Sequence, residues 1–246
     1  MNKLLLNCRT LIFYLLYATF TTVFGLVTLP FIRFLSLNTR FAFIAFWVHC
    51  VLGLARIICG IHCRVHGLDN RPANGPYVVL ANHQSAIETF LLMMLLKPVS
   101  IILKQELLRI PIFGWGLSMI HPIAIDRNNQ RNAIRQIRRH GLQRLQEDGM
   151  PVLIFPEGTR VGVNENRAFA RSGAALAIEA GVPVVFVAHN AGYFWPASHK
   201  TKYPGTVDFY FSEPVSSEGR DARELTEQAR QWIRQHIVEP EASTGC

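Results

Sequence analysis

The stretch VVLANHQSAIETF, residues 78–90, joins a short apolar run to a segment with helical character. The apolar run 77–81 is short and rich in β-branched residues, which predicts a buried strand. The residues after it predict the start of a helix, because Ser85 is a suitable N-cap and Glu88 follows three positions later. A strand that passes directly into a helix is the repeating unit of an α/β fold.

The same alternation of short apolar runs and helical stretches continues through the rest of the chain. The runs predicted as strands are residues 63–67, 77–81, 101–104, 120–125, 152–155, 184–188 and 207–211. Residues 224–238 place apolar side chains on one stripe and predict a closing amphipathic helix. We therefore predict an α/β fold with a mixed central sheet flanked by helices.

The first sixty residues differ from this pattern. Residues 10–30 carry no charge and are long enough to cross a bilayer as a helix, and residues 41–61 are nearly as apolar. Two arrangements stay open: a hairpin that spans the membrane, or a helical pair half-sunk in one leaflet. We predict a membrane anchor over residues 1–62 and an α/β domain over residues 63–246.

Composition narrows the choice of partners. The 246 residues include 25 Lys and Arg against 17 Asp and Glu, a formal net charge of +8. A basic chain favours phosphate-bearing partners, and with these apolar segments we expect a phospholipid membrane rather than nucleic acid. The five cysteines are an odd number without zinc-site spacing, so we expect packing rather than disulfides or a metal. Unpaired thiols are typical of a reducing compartment, so we expect the active site to face the cytoplasm.

His83 follows a predicted strand directly, a usual position for reactive groups in α/β folds. Glu88 stands five positions later and has two possible roles. Either it pairs with His83 as a catalytic dyad, or it forms a capping box with Ser85. Residues five apart on one helix point about 140° away from each other, so the dyad requires His83 to precede the helix.

A second candidate site is LIFPEGTR, residues 153–160. An apolar strand stops at a proline, and Gly158, Thr159 and Arg160 then offer close backbone approach, a hydroxyl and a planar fork of donors. The stretch is either an oxyanion or phosphate cradle or a tight turn with a surface arginine. Lys104 and Arg127 also stand at strand ends, from which cationic side chains can converge on one phosphate.

The segments NHQSAIE, KQEL, IPIFGWG, IDR, FPEGTR and AGVPVVFVA occur in the order of the four blocks of the glycerolipid acyltransferase family. The chain resembles in particular its 1-acyl-sn-glycerol-3-phosphate acyltransferase branch. Two positions depart from the pattern. Most members have aspartate where this chain has Glu88, and serine is common where it has Val161.

The resemblance implies a reaction and a set of roles. His83 would remove a proton from the sn-2 hydroxyl of 1-acyl-sn-glycerol 3-phosphate, also called lysophosphatidic acid, as that hydroxyl attacks an acyl thioester to form phosphatidic acid. Glu88 would orient His83. The acyl donor would be acyl-CoA or acyl carrier protein, with no further cofactor and no metal. The residues expected to bind the acceptor phosphate are Lys104, Arg127, Glu157, Gly158, Thr159 and Arg160.

Three alternatives to this activity stay open from the sequence. The chain could acylate another lysolipid, hydrolyse acyl thioesters, or bind lipid without catalysis. A thioesterase has no use for a phosphate cradle, and a lipid-binding protein has no use for a base at the end of a strand.

Overall fold

The structure is a computed structural model that describes residues 2–240. It begins with two long helices, α1 (Lys3–Ile32) and α2 (Leu37–Leu54), and α2 continues through one wider turn to Cys59. The side chains of Asn2 and Ser36 cap the two helices. Both helices are long and apolar enough to cross a membrane by length and composition. The two predicted apolar segments are therefore helical except for Gly60 and Ile61, since Ile61 begins the first strand. Each helix begins before the segment predicted for it.

A seven-stranded sheet follows, with the order β1-β7-β6-β2-β5-β3-β4. Its strands are β1 (Ile61–His66), β2 (Val78–Ala81), β3 (Ser100–Lys104), β4 (Ile123–Ile125), β5 (Val152–Ile154), β6 (Val184–His189) and β7 (Gly205–Phe211). All neighbouring strands are parallel except β6 and β7, which are antiparallel. The prediction of a mixed sheet is confirmed. The division after residue 62 stays a prediction.

The fourth strand is shorter than the predicted run 120–125. His121 has a φ of 55°, which a non-glycine residue rarely adopts, and Pro122 has no N–H to donate to a neighbouring strand. The ladder with β3 therefore begins only at Ile123.

Helices cover both faces of the sheet. They are α3 (Ile87–Leu95), α4 (Phe113–Ser118), α5 (Gln130–Leu142), α6 (Ser172–Ala180) and α7 (Ala222–His236). Successive residues of β2 point to opposite faces, and Val78 and Val79 are both fully buried, in two separate apolar cores. The first core lies against α1, α2 and α3, and the second against α5, α6 and α7. Burial on both faces explains why the strands read as continuous apolar runs.

The first helix packs against the α/β domain near both of its ends. Toward its start, the ring of fully buried Phe13 meets Trp195 edge to face at 5.1 Å between centroids. Toward its end, Gly25 lies so close to Ile112 that an added Cβ would stand 2.1 Å from Ile112 Cγ2. The helix is thus part of the domain's core packing.

The cysteines within residues 2–240 are free thiols, and Cys246 lies outside the described residues. Cys59 is buried and Cys50 and Cys63 are partly buried, whereas Cys8 is exposed. The expectation of packing is thus met by three of them and wrong for Cys8, which lies on the outer side of α1.

Candidate active site

The histidine and the glutamate of the opening stretch are in contact. His83 leaves the end of β2 and precedes α3, so its ring can turn back toward the helix. Its Nδ1 lies 2.7 Å from Oε1 of Glu88. The side chain of Glu88 is 0% exposed and that of His83 is 12% exposed. The geometric condition for a dyad, a histidine ahead of the helix, is therefore met.

The same carboxylate oxygen also holds the start of the helix. Oε1 of Glu88 accepts the backbone N–H of Ser85 at 2.9 Å and that of Gln84 at 3.2 Å. The helix begins at Ile87, so Glu88 is its second residue and Ala86 its formal N-cap; the predicted numbering, with Ser85 as N-cap, is wrong by one residue. The contacts that the two roles require are therefore both made by one atom.

Electrostatics favour a charged Glu88. Burial by itself raises the pKa of a carboxyl group, but here the hydrogen bond with His83, the charge of the His83 ring when it is protonated and the N–H of Ser85 outweigh it. Together they lower the pKa of Glu88 to about 2. At neutral pH a carboxylate therefore faces the imidazole, which fixes the proton on Nδ1 and favours the imidazolium once it forms.

The FPEGTR loop is bound directly to the backbone of His83. Oε1 of Glu157 accepts the N–H of His83 at 3.3 Å, and the N–H of Val161 donates to the carbonyl of His83 at 2.8 Å. The ring of Phe155 stacks on the imidazole with 4.2 Å between centroids. This loop follows β5, which neighbours β2 in the sheet. The loop therefore positions His83, a role that the sequence did not predict.

Glu157 differs from Glu88 in its electrostatics. Its carboxyl group is buried beneath the loop, and this burial raises its pKa to about 7, although two backbone N–H groups bind the carboxyl and oppose the shift. The like charge of Glu88 raises the pKa further. Glu157 is absent from the described lining of the neighbouring cavity, unlike Thr159 and Arg160 of the same motif. Its predicted contact with phosphate stays a prediction.

The cationic side chains predicted from the sequence lie near His83. Lys104, Arg127, Thr159 and Arg160 line one cavity with it. Arg127 donates to the carbonyl of Gly158, whose φ of 71° turns that part of the loop. Nζ of Lys104 lies 3.7 Å from Oε1 of Glu106, a residue that is not among the predicted site residues.

This cavity has a volume of about 1120 Å³ and extends from the active site to the N-terminal helices. Phe24 and Leu29 of α1 and Trp47 of α2 contribute apolar walls to the cavity that His83 and the cations also line. An apolar cavity with a few converging polar groups is typical of a small-molecule site. The space can hold a molecule with an anionic head and an apolar chain.

A sequence model of the acyltransferase family matches residues 62–190, which is more than half of the chain. The chain belongs to the acyltransferase family. It is 40% identical over 235 residues to the 1-acyl-sn-glycerol-3-phosphate acyltransferase of Pseudomonas aeruginosa, covering 94% of this chain and 91% of that protein. A Saccharomyces cerevisiae protein of the same name is 25% identical over 202 residues, 80% of this chain and 66% of the yeast protein.

A crystal structure of the 1-acyl-sn-glycerophosphate (LPA) acyltransferase PlsC from Thermotoga maritima superposes with a TM-score of 0.79. The match covers 96% of this chain and 95% of that one at 24% identity, so it supports the fold. The resemblance noted from the motifs is thus confirmed, and the protein is an acyltransferase.

The structure shows how Glu88 and Val161, the two departures of this acyltransferase from the family pattern, still contact His83. Glu88 reaches Nδ1 of His83 at 2.7 Å although aspartate is the commoner acid. Val161 contacts His83 through its backbone N–H, which any residue except proline provides, and its side chain is buried. Neither departure removes a contact from His83.

Proposed function

We propose that this acyltransferase moves a fatty acyl group from an acyl thioester to the sn-2 hydroxyl of 1-acyl-sn-glycerol 3-phosphate, forming phosphatidic acid. The observation that carries the proposal is the hydrogen bonding of the two ring nitrogens of His83. Its Nδ1 is bound to Glu88, and its Nε2 makes no hydrogen bond to any other residue within 2–240. The ring lines the cavity that the cations and the apolar helices share.

The reaction needs one base and no protein nucleophile. Nε2 of His83 takes the proton of the acceptor hydroxyl as its oxygen attacks the thioester carbonyl. The tetrahedral intermediate collapses, the carbon–sulfur bond breaks, and the thiolate leaves with the proton that His83 returns. Glu88 stabilises the imidazolium between these two steps.

Lysophosphatidic acid is the acceptor that suits the cavity best. Arg160, Lys104 and Arg127 offer positive charge for a phosphate, and the named activity of the Pseudomonas aeruginosa relative supports the same acceptor. Acyl-CoA and acyl carrier protein are both acceptable donors in this scheme. A plain thioesterase would leave the cations without a role.

We further propose that α1 and α2 lie in the plane of one leaflet, with the active site facing the cytoplasm. Because α1 packs on the α/β domain near both ends, it has no free length with which to cross a bilayer alone. Its outer face exposes Leu11, Leu15, Val23 and Leu26, as a helix half-sunk in lipid requires.

The test uses purified protein, labelled acyl-CoA and lysophosphatidic acid, and measures labelled phosphatidic acid and free fatty acid separately. We expect phosphatidic acid as the product and a loss of about 10²–10⁴-fold in the His83→Ala variant. Fatty acid release alone would indicate a thioesterase. Turnover by His83→Ala at the wild-type rate would refute the general base.

A further inference from the structure

A second buried histidine stands behind the active site. His189 is the last residue of β6, the strand that neighbours β2 on the side opposite β5. Its side chain is 0% exposed and its ring packs against Phe209 with 5.3 Å between centroids. It does not line the cavity, so it has no access to substrate.

His189 is joined to Asn82, the residue immediately before His83, by three buried hydrogen bonds. The side-chain amide of Asn82 donates to the carbonyl of His189 at 2.9 Å, and its side-chain oxygen accepts the N–H of His189 at 3.0 Å. In return, Nε2 of His189 lies 2.7 Å from the carbonyl of Asn82. These bonds continue the attachment of β2 to β6 beyond the last ladder pair, Ala81 with Val187.

The tautomer of His189 follows from its surroundings. The N–H of Ala191 donates to Nδ1 at 3.2 Å, so Nδ1 carries the lone pair and Nε2 carries the hydrogen that Asn82 accepts. Burial lowers the pKa of His189, which keeps the ring neutral. Because His189 is neutral, it forms no ion pair with Glu88. The carboxylate can therefore pair its charge with His83, the other imidazole near it.

The chain that carries His83 is therefore held from both neighbouring strands. Glu157 and Val161 bind the backbone of His83 from the β5 side, and His189 binds Asn82 from the β6 side. We propose that Asn82 and His189 are a positioning pair, which fixes the direction in which the chain leaves β2 so that Nδ1 of His83 stays on Glu88. This inference rests on the proposed function of His83 as the base.

The test compares substitutions of His189 that keep or lose the donor to Asn82. In His189→Gln the amide nitrogen can take the place of Nε2, whereas in His189→Asn the amide is too short to reach Asn82, and His189→Leu has no donor. We expect His189→Gln to stay close to wild type. The kcat of His189→Asn and His189→Leu should fall about tenfold to a hundredfold, because small misplacements of a reacting group cost about that much. The KM for lysophosphatidic acid should not change.

Two further readouts separate positioning from simple loss of stability. Phe209→Leu removes packing against the His189 ring without touching Asn82, and it should lower the melting temperature while kcat stays at the wild-type value. In His189→Asn the acid limb of the pH–rate profile should move to lower pH, because a looser contact with Glu88 stabilises the imidazolium less. A destabilised but correctly aligned site would leave that limb in place.

Equal kcat values for His189→Gln and His189→Asn would overturn the proposal, as would a kcat loss in Phe209→Leu as large as that in His189→Asn. If His189→Leu does not fold, the comparison of the two amides decides alone. Failure of the proposed function is distinct, because wild-type protein would then form no phosphatidic acid in the same assay.

Discussion

Replacing Glu88 by glutamine tests whether this carboxylate serves catalysis as well as the helix. All three hydrogen bonds to Glu88, from His83, Gln84 and Ser85, converge on Oε1. The amide oxygen of a glutamine can occupy the position of Oε1 and accept the same three bonds. The substitution therefore removes the negative charge while it preserves the geometry of the helix start.

The expected effects on rate and stability differ in size. Without the charge, the imidazolium of His83 loses its main stabilising partner, and comparable losses in triad enzymes and general-base catalysis are about 10²–10⁴-fold. For stability, the amide NH₂ would replace Oε2, which is buried and has no hydrogen-bond partner within residues 2–240. An unpaired buried donor costs about 1–3 kcal/mol, or a fall in melting temperature of about 2–12 °C for a chain of this size.

The assay measures the initial rate of phosphatidic acid formation and the melting temperature on the same preparations of Glu88→Gln. Ser85→Ala is the matched control. It removes the hydroxyl that accepts the N–H of Ile87 at 3.3 Å but keeps the Ser85 N–H on Glu88, so it should cost about 1 kcal/mol and leave the rate intact. If Glu88→Gln turns over as fast as Ser85→Ala, the carboxylate only caps the helix and the dyad is refuted.

Three other changes give distinct expectations. Arg160→Ala should raise the KM for lysophosphatidic acid about 10-fold to 150-fold and leave that of the acyl donor unchanged, because one charge-assisted contact is lost; the reverse pattern in two-substrate kinetics would assign this arginine to the donor. Burial raises the pKa of Glu157 from 4.5 to about 7, so the stability this group contributes is complete below pH 4.5 and is lost as the pH rises through 7. The free energy of unfolding of the wild type, measured from pH 4 to 8, should therefore fall by about 3 kcal/mol relative to that of Glu157→Gln, and parallel curves for the two proteins would contradict the argument. Deleting residues 1–40 removes buried Phe13 and one wall of the cavity, so activity on lysophosphatidic acid in vesicles should disappear; undiminished activity would exclude α1 from substrate delivery.

The sequence predicted the elements of the fold better than their arrangement. Each of the seven apolar runs became a strand, because burial on both faces leaves a continuous apolar signal. The order of the strands in the sheet has no comparable signal in the local sequence. The partner of β1 is β7, with Ile61 beside Gly205, and neither segment contains a feature that specifies the other. The start of β4 depended on a local conformation at His121 that apolarity does not encode.

The active site shows a similar limit. The sequence could not separate a dyad from a capping box at Glu88, because one oxygen atom makes the contacts that both roles require. It also missed how the FPEGTR loop positions His83, since the N–H of Val161 is a backbone group present in nearly every residue. His189 did leave a signal: ANH, residues 81–83, begins on the last residue of β2, and AHN, residues 188–190, lies at the end of the neighbouring β6. Only the adjacency of the two strands gives that symmetry a meaning.

The interactions that Lys104, Arg127 and Arg160 already make indicate which of them is most available to bind a phosphate. Arg127 already donates to the carbonyl of Gly158, and Lys104 lies 3.7 Å from Glu106. Recruiting either side chain would weaken an existing interaction, and that cost would reduce the net gain from binding. Arg160 is exposed toward the cavity and makes no hydrogen bond or ion pair with another residue within 2–240, so its planar fork can bind without such a loss. In the proposed reaction Arg160 therefore contributes most of the direct phosphate contact, while Arg127 holds the loop on which Arg160 stands.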